Sequence, residues 1–151
     1  MQKNLKLIVF DFDGVFTNCN LKIRDVNCRD TFGLTYIMNN YKIAICTRSD
    51  GEHIPQIIID RVDYVMKNCK TKYSEIMKLG FKHDEIAYMG DDTHDLECIN
   101  KFKYSACPKD AHPEVLESAK FVSSFDGGKG AVREFIDRLI SHNGKITAII
   151  P

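Results

Sequence analysis

The sequence is short of several features, and each shortage narrows what the chain can do. It has no excess of either charge: 21 lysines and arginines face 21 aspartates and glutamates, for a formal net charge of zero. Bulk attraction to nucleic acid or to an anionic membrane surface is therefore not expected. No apolar run approaches the ~20 residues that a membrane span needs. The opening stretch MQKNLKLIVFDFD is apolar only briefly before acids appear, unlike a secretory leader. A cytoplasmic location is the expectation. The six cysteines contain no C-x-x-C pair, and their spacings match no zinc site. In a reducing compartment they read as free thiols in or near a core. No H-E-x-x-H joins the five histidines, nothing repeats, and no Pro/Gly/Ser-rich linker divides the 151 residues. One domain spanning 1–151 is expected.

What is present has the pattern of an α/β protein. Short apolar runs, expected as strands at 5–10, 42–47, 62–67, 85–90, 104–107 and 120–122, alternate with helical patterns. The helices are expected at 34–40, 52–60, 73–79, 95–100, 113–119 and 131–141. LIVF at 7–10 and IAIC at 43–46 are apolar without alternation. That is how a strand covered on both faces reads. The βαβα order predicts a doubly wound, Rossmann-like, three-layer fold with a mostly parallel sheet. Residues 18–28 are expected to form a short hairpin or loop, too small for a cap domain. In the C-terminal tail, 142–151, the TAII run is expected to pack rather than fray.

Open sheets of this kind bind ligands beyond the carboxyl ends of their strands, and the acids gather there. Asp11 and Asp13 follow the first expected strand. Residues two apart in extended chain point the same way, so both carboxylates can face one pocket while Phe12 turns to the core. Asp91, Asp92 and Asp95 follow Gly90 at the end of the fourth expected strand. Two unit charges ~4 Å apart repel by ~4 kcal/mol at an effective dielectric of 20. Several converging carboxylates therefore call for a counter-ion, and sparse oxygen ligands with open positions suit Mg²⁺. At Asp91 and Asp95 the alternative is a helix cap with an acidic first turn, which is compatible with metal binding. Thr47 ends another strand, and Lys70 and Lys72 precede a helix. A hydroxyl, an ammonium and a cation around aspartates make a phosphoryl site, with an aspartate as nucleophile.

In that order, D-F-D-G-V-F-T, Thr47, a lysine and G-D-D-T-H-D resemble the four motifs of the haloacid dehalogenase superfamily. NCRDTFGL (27–34), EIAYMGDDTHDLECI (85–99), DAHPEV (110–115) and GGKGAVREFIDRLI (127–140) resemble its small capless branch. That branch holds phosphatases of 3-deoxy-D-manno-octulosonate 8-phosphate and of sialic-acid 9-phosphates, and C-terminal domains of some CMP-sialate synthetases. The resemblance covers about residues 5 to 140.

The resemblance implies a Mg²⁺-dependent phosphatase of a phosphorylated sugar acid. Asp11 is then the nucleophile and Asp13 the acid/base. The metal is held by the Asp11 and Asp91 side chains and the Asp13 carbonyl, with Asp95, and Asp92 less directly, supporting its shell. Thr47 is expected to bond the phosphoryl oxygens and Lys72 to neutralise them, with Lys70 as the alternative. Three departures bear on substrate and assembly. The segment after the first motif is shorter than the family hairpin that builds a tetramer, although a homo-oligomer is still expected. The usual I-T-G-R is C-T-R-S, so either Arg48 or Ser49 takes the place of the substrate-orienting arginine or no residue does. The usual G-G-R-G is G-G-K-G, which puts Lys129, a point charge, at a substrate contact. Arg29 lies near the substrate or forms a surface ion pair with Asp30, and His94 is expected to be solvated or to stand behind the site. The competing reading is a non-catalytic oligomerisation domain like those of the sialate synthetases; the intact Asp11, Asp13, Thr47 and Asp91 speak for the enzyme.

Overall fold

The computed structural model describes residues 4–20, 22–142 and 145–146. Strands β1 (Leu7–Phe10), β2 (Lys42–Cys46), β3 (Tyr64–Met66), β4 (Ile86–Met89), β5 (Tyr104–Cys107) and β6 (Phe121–Val122) form one parallel sheet in the order β3-β2-β1-β4-β5-β6. β1 is central: Leu7 pairs with Lys42 and Ile86, and Phe10 with Ile45 and Met89. All four of its side chains are fully buried. Ile8 and Phe10 join the core on one face with Leu34, Ile37, Phe135 and Ile136; Leu7 and Val9 join the other with Ile76, Ile99 and Phe102. Each such burial stabilises the fold by about 1.5–3 kcal/mol. This is why the run LIVF does not alternate, and the expected three-layer α/β architecture is what forms.

Helices α1 (Cys28–Ile37), α2 (Gln56–Ile59) and α6 (Ala131–Ile140) cover the first face; α3 (Lys72–Met77), α4 (Leu96–Lys101) and α5 (Pro113–Ser118) cover the second. α6 buries Val132, Phe135, Ile136 and Leu139, spaced three, one and three residues apart, which is one helical face. Short strands β7 (Ser141–His142) and β8 (Lys145–Ile146) pair antiparallel behind it.

Two expectations shift, and the choice between hairpin and loop falls to the loop. α1 begins at Cys28, not at 34, because the Asn27 side chain accepts the Arg29 amide at 2.9 Å and caps the helix six residues earlier than its apolar pattern suggested. The helix expected over 52–60 shrinks to Gln56–Ile59, since Pro55 stands in extended backbone at its N-cap and cannot lie inside a longer helix. Residues 18–20 and 22–27 hold no strand. Asn18 and Asn20 instead accept the amides of Asn20 and Lys22 in tight local turns. The packing expected of TAII falls at 147–150, outside the described residues.

Candidate active site

β1 delivers Asp11 to the edge of the sheet. The Asp11 amide donates to the Met89 carbonyl at 2.9 Å, so the ladder runs one residue past the strand and fixes where the carboxylate starts. Phe12 turns into the core as expected, and Asp11 and Asp13 line the same cavity of about 550 Å³. Gly14 closes the turn with φ +82°, and a Cβ there would stand 1.8 Å from Asp91 Oδ2. Only glycine lets the first motif approach the Asp91 carboxylate this closely.

The fourth motif folds back on itself around Asp95. A Cβ on Gly90 would sit 2.4 Å from Asp95 Cγ, so glycine is again required. Asp95 Oδ2 accepts the amides of Asp91 at 2.9 Å and Asp92 at 3.2 Å. Asp95 Oδ1 accepts from Lys72 Nζ at 2.8 Å and from the Tyr88 hydroxyl. Both oxygens of this fully buried carboxylate are thus engaged.

Lys72, the first residue of α3, is buried, whereas Lys70 is exposed. Lys72 Nζ also lies 3.0 Å from Asp11 Oδ1 and so ties the first motif to the fourth. Burial alone would lower the Lys72 pKa, but Asp11 and Asp95 outweigh it and hold the ammonium charged. Burial likewise pushes the Asp11 carboxyl up; the Lys72 ammonium, helped by His94 and Asp91 nearby, overrides that and brings it down to about 2.

Among the described residues Asp91 has no such ammonium beside it. Burial, then the charges of Asp11 and Asp95, push its carboxyl up to about 9. Two buried acids lining one cavity, one of them pushed toward its neutral form by the other, are suited to a cation. Asp11, His94 and Asp95 also bring ligand-type atoms within 4.8 Å of one another. Asp95 already spends its oxygens on Lys72, Tyr88 and two amides, so Asp11 and Asp91 are the open donors. Their hard oxygens, facing a cavity, fit a divalent cation such as Mg²⁺.

Thr47 sits just past β2, its amide donating to Met66 O at 2.9 Å. Its hydroxyl shares a 3.0 Å hydrogen bond with the Ser49 hydroxyl at the cavity wall. Arg48 and Asp92 line the same cavity from exposed positions.

The structure does not bring Arg29 and Lys129 to this cavity. They line another, of about 320 Å³, with Phe125 and Arg133. Nor is Asp30 a surface partner of Arg29: it is fully buried, accepting the Arg133 amide at 2.9 Å and the Gly130 amide at 3.3 Å. The α6 N-terminus, which favours anions, is thus occupied by a carboxylate of the chain itself.

Sequence reasoning missed Arg24 and His53, which flank Asp13 at 3.3 and 3.2 Å. Both lie in irregular segments, where no periodicity points to a partner. It also missed Tyr88, hidden in a buried strand, and Cys19, whose thiol donates to Asp91 Oδ2 at 3.6 Å. His94, inside the acidic loop, stands 3.6 Å from Asp11 Oδ2 and lines the cavity. Of the six cysteines, Cys46, Cys69, Cys98 and Cys107 are buried free thiols, while Cys19 and Cys28 are exposed.

The chain resembles known proteins along most of its length. Residues 65–136 match the haloacid dehalogenase-like hydrolase family. A 3-deoxy-D-manno-octulosonate 8-phosphate phosphatase of Salmonella typhi is 29% identical, over 95% of this chain and 84% of its own. The structure of the cobalt-bound deoxy-D-mannose-octulosonate 8-phosphate phosphatase of Haemophilus influenzae superposes with a TM-score of 0.82 at 28% identity, covering 91% of this chain and 88% of that one. The Moraxella catarrhalis 3-deoxy-D-manno-octulosonate 8-phosphate phosphatase, solved with magnesium, phosphate and its sugar acid, shares the fold with a TM-score of 0.85 at 20% identity, covering 95% and 89%.

Proposed function

Because the chain belongs to the haloacid dehalogenase-like hydrolases, we propose that it is a Mg²⁺-dependent phosphatase of an acidic sugar phosphate that works through a phospho-aspartate. The chain is a phosphoric monoester hydrolase. Its substrate in this reading is 3-deoxy-D-manno-octulosonate 8-phosphate, as the names of its relatives indicate, with a sialic-acid 9-phosphate as the second choice. One observation carries the mechanism: Asp11 and Asp91 line one cavity, the Asp91 carboxylate lying close against Gly14 of the first motif, with Lys72 Nζ 3.0 Å from Asp11 Oδ1.

The residues present suit Mg²⁺, held by the Asp11 and Asp91 side chains and the Asp13 carbonyl, with Asp95 fixing the loop that carries Asp91. Bound there, it neutralises the phosphate and the paired carboxylates. Asp11, held ionised by Lys72, attacks phosphorus, and a bond from its carboxylate to phosphorus forms as the bond to the sugar oxygen breaks. Asp13 gives that oxygen its proton. Water then attacks phosphorus and passes a proton back to Asp13, while the Asp11 carboxylate leaves. Thr47 donates to a phosphoryl oxygen and Lys72 balances its charge. Lys72 rather than Lys70 fills this role, since Lys70 is exposed.

Arg48, at the cavity wall, meets the sugar. Arg29 and Lys129, in the other cavity, reach substrate across an interface in this reading, which takes the chain to be a homo-oligomer, a tetramer, in the cytoplasm. No helix among the described residues is long and apolar enough to cross a membrane. Light scattering of the purified chain reads the assembly. A phosphate-release panel tests the function: octulosonate 8-phosphate, neuraminate 9-phosphate, deaminated neuraminate 9-phosphate and hexose phosphates, each with Mg²⁺ and with chelator. Turnover of one sugar-acid phosphate well above the hexose phosphates is expected. Equal slow rates on all of them would contradict the substrate class.

A further inference from the structure

Two irregular segments border the mouth of the cavity, and Asp13 stands between them. From the segment after β2, His53 Nε2 meets Asp13 Oδ2 at 3.2 Å, and its ring packs on Phe12 with centroids 5.3 Å apart. From the segment after β1, Arg24 Nε meets Asp13 Oδ1 at 3.3 Å.

The two contacts differ in kind. His53 forms a hydrogen bond. Arg24 forms an ion pair without alignment: its Nε and Asp13 Oδ1 are both buried, and neither has a hydrogen-bond partner among the described residues. Buried polar groups in folded proteins are normally satisfied, so a facing pair left unsatisfied within the fold points to a functional role. Arg24 also lines the cavity. The acid/base residue must face the oxygen that joins phosphorus to the sugar, so a guanidinium beside Asp13 borders the sugar's side of the scissile bond.

We propose that Arg24 is the specificity-determining residue of this site, its guanidinium taking the carboxylate of the sugar acid. This rests on the acidic-sugar reading given above. A planar fork matches a carboxylate in two parallel hydrogen bonds, which the misaligned contact with Asp13 does not supply. When Arg24 turns to the substrate, His53 keeps Asp13 in place, and Oδ1 is left facing the leaving oxygen. A neutral sugar phosphate offers Arg24 nothing, and Oδ1 stays covered. Recognition of the carboxylate and exposure of the acid are therefore one event.

The test compares kcat/KM for octulosonate 8-phosphate and for glucose 6-phosphate in wild type, Arg24→Ala and Arg24→Lys. Inhibition by free octulosonate is measured alongside. Loss of a charged hydrogen-bonded pair corresponds to roughly 10- to 100-fold. Arg24→Ala is expected to shrink the preference for the acid by that factor and to weaken inhibition by octulosonate similarly. Arg24→Lys, which keeps the charge and the bulk but not the fork, is expected to fall between and serves if the alanine variant folds poorly. A wild-type preference that survives both substitutions overturns the Arg24 assignment alone. A wild-type enzyme with no preference for the acid overturns the acidic-sugar reading and the assignment with it.

Discussion

The Lys72 ammonium lies 3.0 Å from Asp11 Oδ1, with both side chains buried. It also bonds Asp95, so one cation joins the residues that follow β1 and β4. Lys72→Met leaves those carboxylates facing each other without it. Breaking a buried pair from one side costs about 3–5 kcal/mol. Urea unfolding in chelator should show a loss of that order, and phosphate release should fall at least ~100-fold, the scale of removing one charge-stabilising donor. Lys70→Met, at an exposed position, should change stability by no more than about 0.5 kcal/mol. Equal effects of the two would move the phosphate-binding role off Lys72.

Asp11→Asn removes the nucleophile but keeps the side-chain shape. Turnover of every phosphomonoester in the panel should vanish. Asp13→Asn removes only the proton carrier, and its loss should be about 10²- to 10⁴-fold on sugar phosphates. It should be smaller on aryl phosphates, whose leaving oxygens need no proton. A comparison of the two substrate classes reads the difference.

Gly14→Ala forces a Cβ to within 1.8 Å of Asp91 Oδ2 from a left-handed backbone position. Asp91 must move, and Mg²⁺ affinity, read by calorimetry, should drop at least ~10-fold. The backbone strain should cost about 1–3 kcal/mol. A variant that binds Mg²⁺ like wild type would show that Asp91 is not a ligand.

Asp30 gives the fold a pH dependence of its own. Burial raises its carboxyl to about 6 from 3.8, against the pull of the Arg133 and Gly130 amides. The folded state then holds this proton more tightly than the unfolded chain does. Its contribution to stability is complete below pH 3.8 and is lost as pH rises through about 6. At roughly 1.4 kcal/mol per pKa unit, the loss is on the order of 2–3 kcal/mol. Asp30→Asn cannot ionise, so unfolding curves between pH 4 and 7 should converge toward wild type at the acid end and favour the variant at neutral pH. Parallel curves would show that Asp30 does not titrate in this window.

How much of this could be read from the chain follows from where each residue sits. LIVF and IAIC announce strands covered on both faces because burial on two sides abolishes alternation. The Asp11 and Asp91 positions follow, since parallel strands end at one edge. The sequence favours Lys72 over Lys70 without excluding Lys70; the start of α3 at Lys72 decides which is buried. Asp30 reads as a surface acid until α6 arrives a hundred residues later and offers its amides. Arg24 and His53 meet Asp13 only through the path of two loops, and loop paths leave no periodic trace. The shortened α2 had a visible cause in Pro55, which outweighs the apolar run after it.

The central claim is that the Asp11 carboxylate carries the phosphoryl group. Acid quenching of the enzyme during turnover with Mg²⁺ and octulosonate 8-phosphate, followed by borohydride reduction and peptide mass spectrometry, reads it directly. The account predicts homoserine at position 11, formed only when both substrate and Mg²⁺ are present. Steady turnover with an unmodified position 11, or reduction at another aspartate, contradicts it.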